Sequence, residues 1–216
     1  MLDRRFGGLA RLYGVDGAAR IRAAHVVVVG VGGVGSWTVE ALARSGVGRL
    51  TLIDLDNVSD SNINRQIHAL DDTVGMAKVE AMRQRIAHIN PDCVVTCIED
   101  FVEPDNWPSI LKGAEVDAVI DACDQVKAKT VMAAWALKER ALFITVGAAG
   151  TTPAPSPSPS PTPTGHDTDT DGVDATIRRT DSVVVGGEHG PRFRPPHVAG
   201  IALAAVACAD FVEAAD

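Results

Sequence analysis

Residues 15–24 carry the helix formers Ala18, Ala19, Ile21 and Arg22 after Gly17 and predict a short helix. His25-Val26-Val27-Val28-Val29 follows, a β-branched run closed by Gly30. Because no polar residue alternates within it, the run predicts a central strand covered on both faces. Helix formers dominate residues 34–45, and Gly46 supplies the stop. Further along, strands are predicted at 49–53, 93–98, 116–120 and 142–146. Helices are predicted at 76–89, closed by Asn90-Pro91, at 104–111 and at 125–140. Strands alternating with helices specify an α/β fold: a doubly wound, mostly parallel Rossmann-like sheet with helices on both faces.

Two stretches break this rhythm. Residues 56–70 are polar and irregular, too long for an ordinary strand-to-helix turn, and so predict a functional loop. At Thr151 the character of the chain changes, and residues 153–164 read PAPSPSPSPTPT. This tract can sustain neither helix nor sheet and predicts an extended linker. The expected organisation is a domain at 1–150, a Pro/Ser/Thr-rich and acidic linker at 151–181 and a short tail at 182–216. Within the tail, Ser182-Val183-Val184-Val185 has the β-branched composition to pair with a sheet edge left open by strand 142–146. An Ala-rich helix is expected at 197–214, with Ile201, Ala204, Ala205, Cys208 and Val212 on one face.

Composition narrows the class. With 46% apolar but only 4% aromatic residues, the chain suits Val-rich strands under Ala-rich helices better than a β-sandwich. No apolar run approaches the roughly 18–20 residues of a spanning helix, and the start of the chain has no apolar signal-peptide core. Neither a membrane role nor export is expected. Cys93, Cys97, Cys123 and Cys208 form no CxxC pair, which argues against a disulfide framework or structural zinc and for free thiols in a reducing cytoplasm. The net charge of −8 divides as −3 over residues 1–150 and −5 over 151–216, a balance that weighs against a strong polyanion binder.

Candidate chemistry begins at Gly30-Val31-Gly32-Gly33-Val34-Gly35, which follows a strand and opens a helix with G-x-G-x-x-G spacing. Glycines there let the backbone approach phosphates at a helix N-terminus. Asp54, nineteen residues past the last glycine, is placed to accept ribose hydroxyls. Taken alone, the motif fits NAD, FAD or ATP equally. What discriminates is downstream: Asn62, Arg65 and Gln66 in the long loop, then Lys78 at the next helix. Cations just beyond the ribose carboxylate suit a triphosphate and charge developing at an α-phosphate. Asp124, at the carboxyl-end rim of the sheet, is a candidate ligand for Mg²⁺. Asp121 reads as a cap for the following helix, and Trp37, Trp135 and His68 as packing residues.

RRFGGLARLYG at 4–14, GVGGVGSWTVEALARSGVGRLTLIDLDNV at 30–58 and SNINRQIHAL at 61–70 resemble the ubiquitin-activating-like adenylating enzymes. That family includes the adenylyltransferases of thiamine and molybdopterin biosynthesis. Phe6-Gly7-Gly8 and Gly35-Ser36-Trp37 resemble its tRNA threonylcarbamoyladenosine dehydratase branch in particular. The resemblance covers about 3–150. It implies that Gly30, Gly32, Gly33 and Gly35 hold ATP phosphates, Asp54 the ribose, and Asp124 the Mg²⁺. It further implies that Asn62, Arg65 and Lys78 hold and polarise the phosphates with support from Gln66, Arg65, Lys78 and Asp124 being the catalytic set. The implied substrate is a threonylcarbamoyl carboxylate on tRNA, activated as an acyl-adenylate and cyclised with loss of AMP, without a catalytic cysteine. A homodimer is implied too, with an N-terminal arginine offered across it, for which Arg5 and Arg11 are the nearest candidates. Members of the branch continue past the Gly147–Gly150 turn with further strands and helices, so the second half of the family domain is expected to be missing or replaced. Two alternatives stand beside this reading: adenylation of a small-protein C-terminus for a sulfur-transfer partner, and a truncated, non-catalytic nucleotide binder.

Overall fold

The computed structural model describes residues 4–146, 178–180 and 183–186. Helix α1 (Gly7–Ala23) precedes β1 (His25–Val29), α2 (Gly33–Arg44) and β2 (Arg49–Ile53). A long loop leads to α3 (Lys78–Ile89), then β3 (Val94–Ile98), β4 (Ala118–Asp121), α4 (Val126–Glu139) and β5 (Leu142–Val146). Two further strands, β6 (Arg178–Thr180) and β7 (Val183–Gly186), complete a seven-stranded sheet in the order β3-β2-β1-β4-β5-β7-β6.

The first five strands are parallel, and the expected doubly wound architecture is the one observed. All five residues of β1 are buried, as its unbroken apolar run requires. Val26 and Val28 face one core layer with Val39 and Leu42 of α2 and Val79, Met82 and Ile86 of α3. Val27 and Val29 face the other with Ala128, Met132 and Ala136 of α4. Alternate side chains of a single strand thus feed both layers.

Four expectations need correction. Helix α1 starts eight residues before the predicted 15–24 helix, and its backbone breaks at Gly14 (φ 74°). Gly7, Gly8 and Gly14 hid this early half from a propensity argument. No α-helix forms at 104–111, only a 3-10 turn at Ser109–Leu111. There Asn106 takes the Glu103 N–H and donates to the Phe101 carbonyl, bonds that divert the backbone from helix. The segment expected to be linker contains β6, which forms an antiparallel ladder with β7. Asp121 does not cap α4, whose N-cap is Gln125.

Strand β7 pairs antiparallel with β5, Val146 facing Val183 and Phe143 facing Gly186, on the sheet edge where a partner strand was expected. The Pro-rich tract and the helix expected at 197–214 lie outside the described residues. Among the described residues, no helix is long and apolar enough to cross a membrane.

Candidate functional site

Strand order reverses at β1, which has β2 on one side and β4 on the other, and open α/β sheets bind ligands at the carboxyl ends of such a switch point. Here the two strand ends close on each other through Ala122 N–H to the Val29 carbonyl, 2.8 Å. Gly30, at φ 84°, passes so close that a Cβ would lie 2.8 Å from the backbone of Ala122 and Cys123. A Cβ on Gly35 would lie 1.8 Å from the Gly30 carbonyl oxygen. These two glycines let helix and strand approach. Gly32 is different: a Cβ there would meet nothing within 4 Å.

Above this turn is a cavity of about 470 Å³. Gly30, Gly32, Gly33 and Asp54 line one side, Arg65, Gln66 and Lys78 another, and Asp124 the rim of β4. Eight of the ten residues singled out from sequence therefore share one cavity. Gly35 and Asn62 do not line it. Asn62 is buried, and its side-chain oxygen accepts the Ser59 N–H at 3.0 Å while its carbonyl accepts the N–H groups of Arg65 and Gln66. It shapes the loop that carries the cation.

Each charge has a distinct standing. Asp54 accepts the Val31 N–H at 2.7 Å and the Asp56 N–H at 2.9 Å, so it ties the glycine turn to the loop after β2. Lys78 is buried, with its Nζ 2.7 Å from Asp56 and 4.0 Å from Asp54. Because the Asp56 side chain is 58% exposed, exchanging it for a phosphate costs little. Arg65 is exposed and donates to the Ser61 carbonyl and the Asn64 side chain. The Asp124 carboxylate is exposed and has no hydrogen bond or ion pair among the described residues. No group of three metal-ligating side chains occurs among them either. A lone carboxylate at the cavity rim is still within what Mg²⁺ accepts, since that ion takes one or two carboxylates and fills its remaining positions with other oxygens and water.

Two supports escaped the sequence. Trp37, read as packing, donates its indole N–H to the Arg65 carbonyl at 2.9 Å, fastening the loop to α2. Lys129 reaches from α4 to the fully buried Asp121 at 3.0 Å and to the Val146 carbonyl at 2.8 Å. Thr145 donates to the same carboxylate at 2.6 Å. Asp121 thus locks β4, β5 and α4 beneath the cavity. Only its position at a strand end, followed eight residues later by a lysine, could have signalled this. Cys123 also lines the cavity, but burial and the Asp121 carboxylate push its thiol up to about 12, so it is no nucleophile at neutral pH. Cys93, Cys97 and Cys123 are all free, and burial pushes the first two up to about 11.

Comparison with known proteins gives this geometry a relationship. The tRNA threonylcarbamoyladenosine dehydratases of Haemophilus influenzae and Escherichia coli K12 are 50% identical to this chain over 148 and 147 residues, 68% of it in both cases. The matched parts are 56% and 54% of those relatives, so the chain spans about half the length of the curated relatives it matches. A molybdopterin-synthase adenylyltransferase of Salmonella typhimurium is 38% identical over 121 residues, 56% of this chain and 48% of that one. The crystal structure of the E. coli dehydratase TcdA in complex with ATP superposes with a TM-score of 0.66 at 49% identity, covering 70% of this chain and 62% of that one. Its complex with AMP gives the same score over 70% and 61%. The model of the ThiF family matches residues 4–187, and the chain belongs to that family.

Proposed function

We propose that the chain binds ATP in the 470 Å³ cavity and adenylates a carboxylate, that of the threonylcarbamoyl group on a modified adenosine of tRNA. One observation carries the reading: Gly32, Asp54, Arg65, Lys78 and Asp124 converge on one cavity, in a chain half identical to two such dehydratases. The amides of the first turn of α2 lack intrahelical acceptors and receive the phosphates. Asp54 faces the ribose, while Arg65 and Lys78 bear on the phosphates and stabilise charge gathering at the α-phosphate as the carboxylate attacks. Gln66 supports the phosphate set. The acyl-adenylate then loses AMP as the neighbouring carbamoyl group closes the ring. Mg²⁺, held by Asp124, would screen the triphosphate and orient it. The same reading puts the protein in the cytoplasm, as a homodimer where the domain is complete.

Pyrophosphate exchange and AMP release, measured with and without threonylcarbamoyl-modified tRNA, test this reading. Both should depend on the modified tRNA. Exchange supported instead by a small-protein C-terminus would replace the substrate with a sulfur-transfer partner, and tighter binding of NAD than of ATP would overturn the nucleotide assignment.

A further inference from the structure

A second cavity, of about 690 Å³, shares no lining residue with the first. Its walls include Arg5 before α1, Arg44 ending α2, His68 from the long loop, and Arg85 and His88 from α3. The arginines are held in place. Glu40 of α2, buried at 5% exposure, takes Arg44 at 2.7 Å and Arg85 at 2.6 Å. One carboxylate thus organises two guanidiniums and leaves a positive charge in surplus. Neither Nη1 group of this pair has an acceptor among the described residues. Arg5 donates to the Ile89 carbonyl at 3.0 Å, which seats a third guanidinium at the end of α3. His68 is 1% exposed, and neither of its ring nitrogens meets a partner among the described residues. Among the described residues of this wall, Asp72 is the one carboxylate.

The two cavities are neighbours along the chain. Arg65 and Gln66 line the first, and His68, two residues on, lines the second. Lys78 and Arg85 lie about 10 Å apart along α3 at 1.5 Å per residue. A polyanion whose reacting group entered the first cavity would therefore lay neighbouring phosphates over the second. A net charge of −8 argues against broad RNA affinity, and a local basic cleft beside the site resolves that conflict.

We infer that this cleft receives the phosphodiester backbone of the RNA substrate, with Arg5, Arg44 and Arg85 as the phosphate contacts. The inference rests on the tRNA reading proposed above. The guanidiniums of Arg44 and Arg85, fixed by Glu40 and each with an Nη1 that meets no acceptor among the described residues, suit phosphate oxygens, and the volume exceeds what a single phosphate fills.

The test is fluorescence anisotropy of labelled, threonylcarbamoyl-modified tRNA with the full chain, from about 50 to 200 mM salt. Arg44→Gln leaves Arg85 on Glu40 and should weaken binding roughly tenfold, reducing the slope of log K against log salt by about 1. Gln84→Lys adds a cation to the same wall without breaking an ion pair, and should tighten binding and steepen the slope by about 1. ATP affinity by calorimetry should not change in either. Unaltered tRNA affinity and slope in both variants would overturn the inference. A dimer-to-monomer change in Arg44→Gln with tRNA binding intact would also overturn it, giving the face to a second copy of the chain. Wild-type protein that releases AMP only with tRNA, while both variants bind tRNA normally, would sink the cleft and leave the proposed function standing. Wild-type protein that binds no tRNA would sink both.

Discussion

Asp121 and Lys129 offer the sharpest test of how the site is built. Asp121 is fully buried, and its carboxylate collects Lys129 at 3.0 Å, Thr145 at 2.6 Å and the Cys123 N–H at 3.2 Å. Asp121→Ala leaves the Lys129 ammonium with only neutral acceptors, the Val146 carbonyl at 2.8 Å and the Thr145 hydroxyl at 3.4 Å, and takes from Thr145 its acceptor. Removing one partner of such a buried pair costs about 3–5 kcal/mol. Lys129→Met removes the opposite charge and leaves a buried carboxylate with three lesser donors, the Thr145 hydroxyl and the N–H and thiol of Cys123, at a similar cost. Once both charges are gone, neither is left uncompensated, so the double variant should be more stable than the sum of the single losses by about 2–3 kcal/mol. Urea unfolding of the wild type, both single variants and the double variant at 25 °C measures this coupling. If the two losses simply added to within about 0.5 kcal/mol, the two groups would act independently and the lock beneath the cavity would not exist.

Other predictions address the cavity and its surroundings. Arg65→Ala and Asp124→Ala should each lower AMP release on the order of a hundredfold or more at an unchanged melting temperature, since both side chains are exposed; near-normal turnover would remove the residue from the site. Gly35→Ala should destabilise by several kcal/mol because its Cβ would lie 1.8 Å from the Gly30 oxygen, whereas Gly32→Ala should fold and lose ATP affinity. Melting curves and calorimetry separate those two outcomes. His68 is lowered to about 4 by burial, with Lys78 and Arg85 adding to the effect, against about 6.5 in the unfolded chain. The unfolded state binds the proton first, so the His68 contribution to stability is complete above pH 6.5 and is lost as pH falls towards 4, on the order of 3 kcal/mol in all. His68→Gln should flatten that dependence in urea unfolding between pH 4.5 and 7, and an equally steep slope would reject the assignment.

The legible parts of the molecule were those fixed by local chemistry. The run of valines at β1 could bury both faces only as a central strand, and G-x-G-x-x-G after it could open only a helix at a rim. Loop cations and the glycine turn came together because the strand-helix-strand alternation leaves them on one end of the sheet. What stayed hidden depends on long-range partners. Trp37 looks like any helix aromatic until the Arg65 carbonyl arrives 28 residues later. Asn62 was read as a phosphate ligand because side-chain amides serve either purpose, and only the fold shows its oxygen turned to Ser59. The early half of α1 was hidden because Gly7, Gly8 and Gly14 count against helix in local propensity, although Leu9, Ala10, Arg11 and Leu12 between them favour it.

The strand order also sets a schedule for synthesis. β1 pairs with β2 within about 25 residues, but the partner on its other side, β4, begins at Ala118. At about 5–20 residues per second, a ribosome delivers that partner roughly 5–20 s after β1. For that interval the most apolar strand of the sheet has an open side, exposed to whatever other unpaired strands are near. Substitutions between β2 and β4 that delay α3 should therefore show first as lost yield in the cell, before any change in the melting temperature of the protein that does fold.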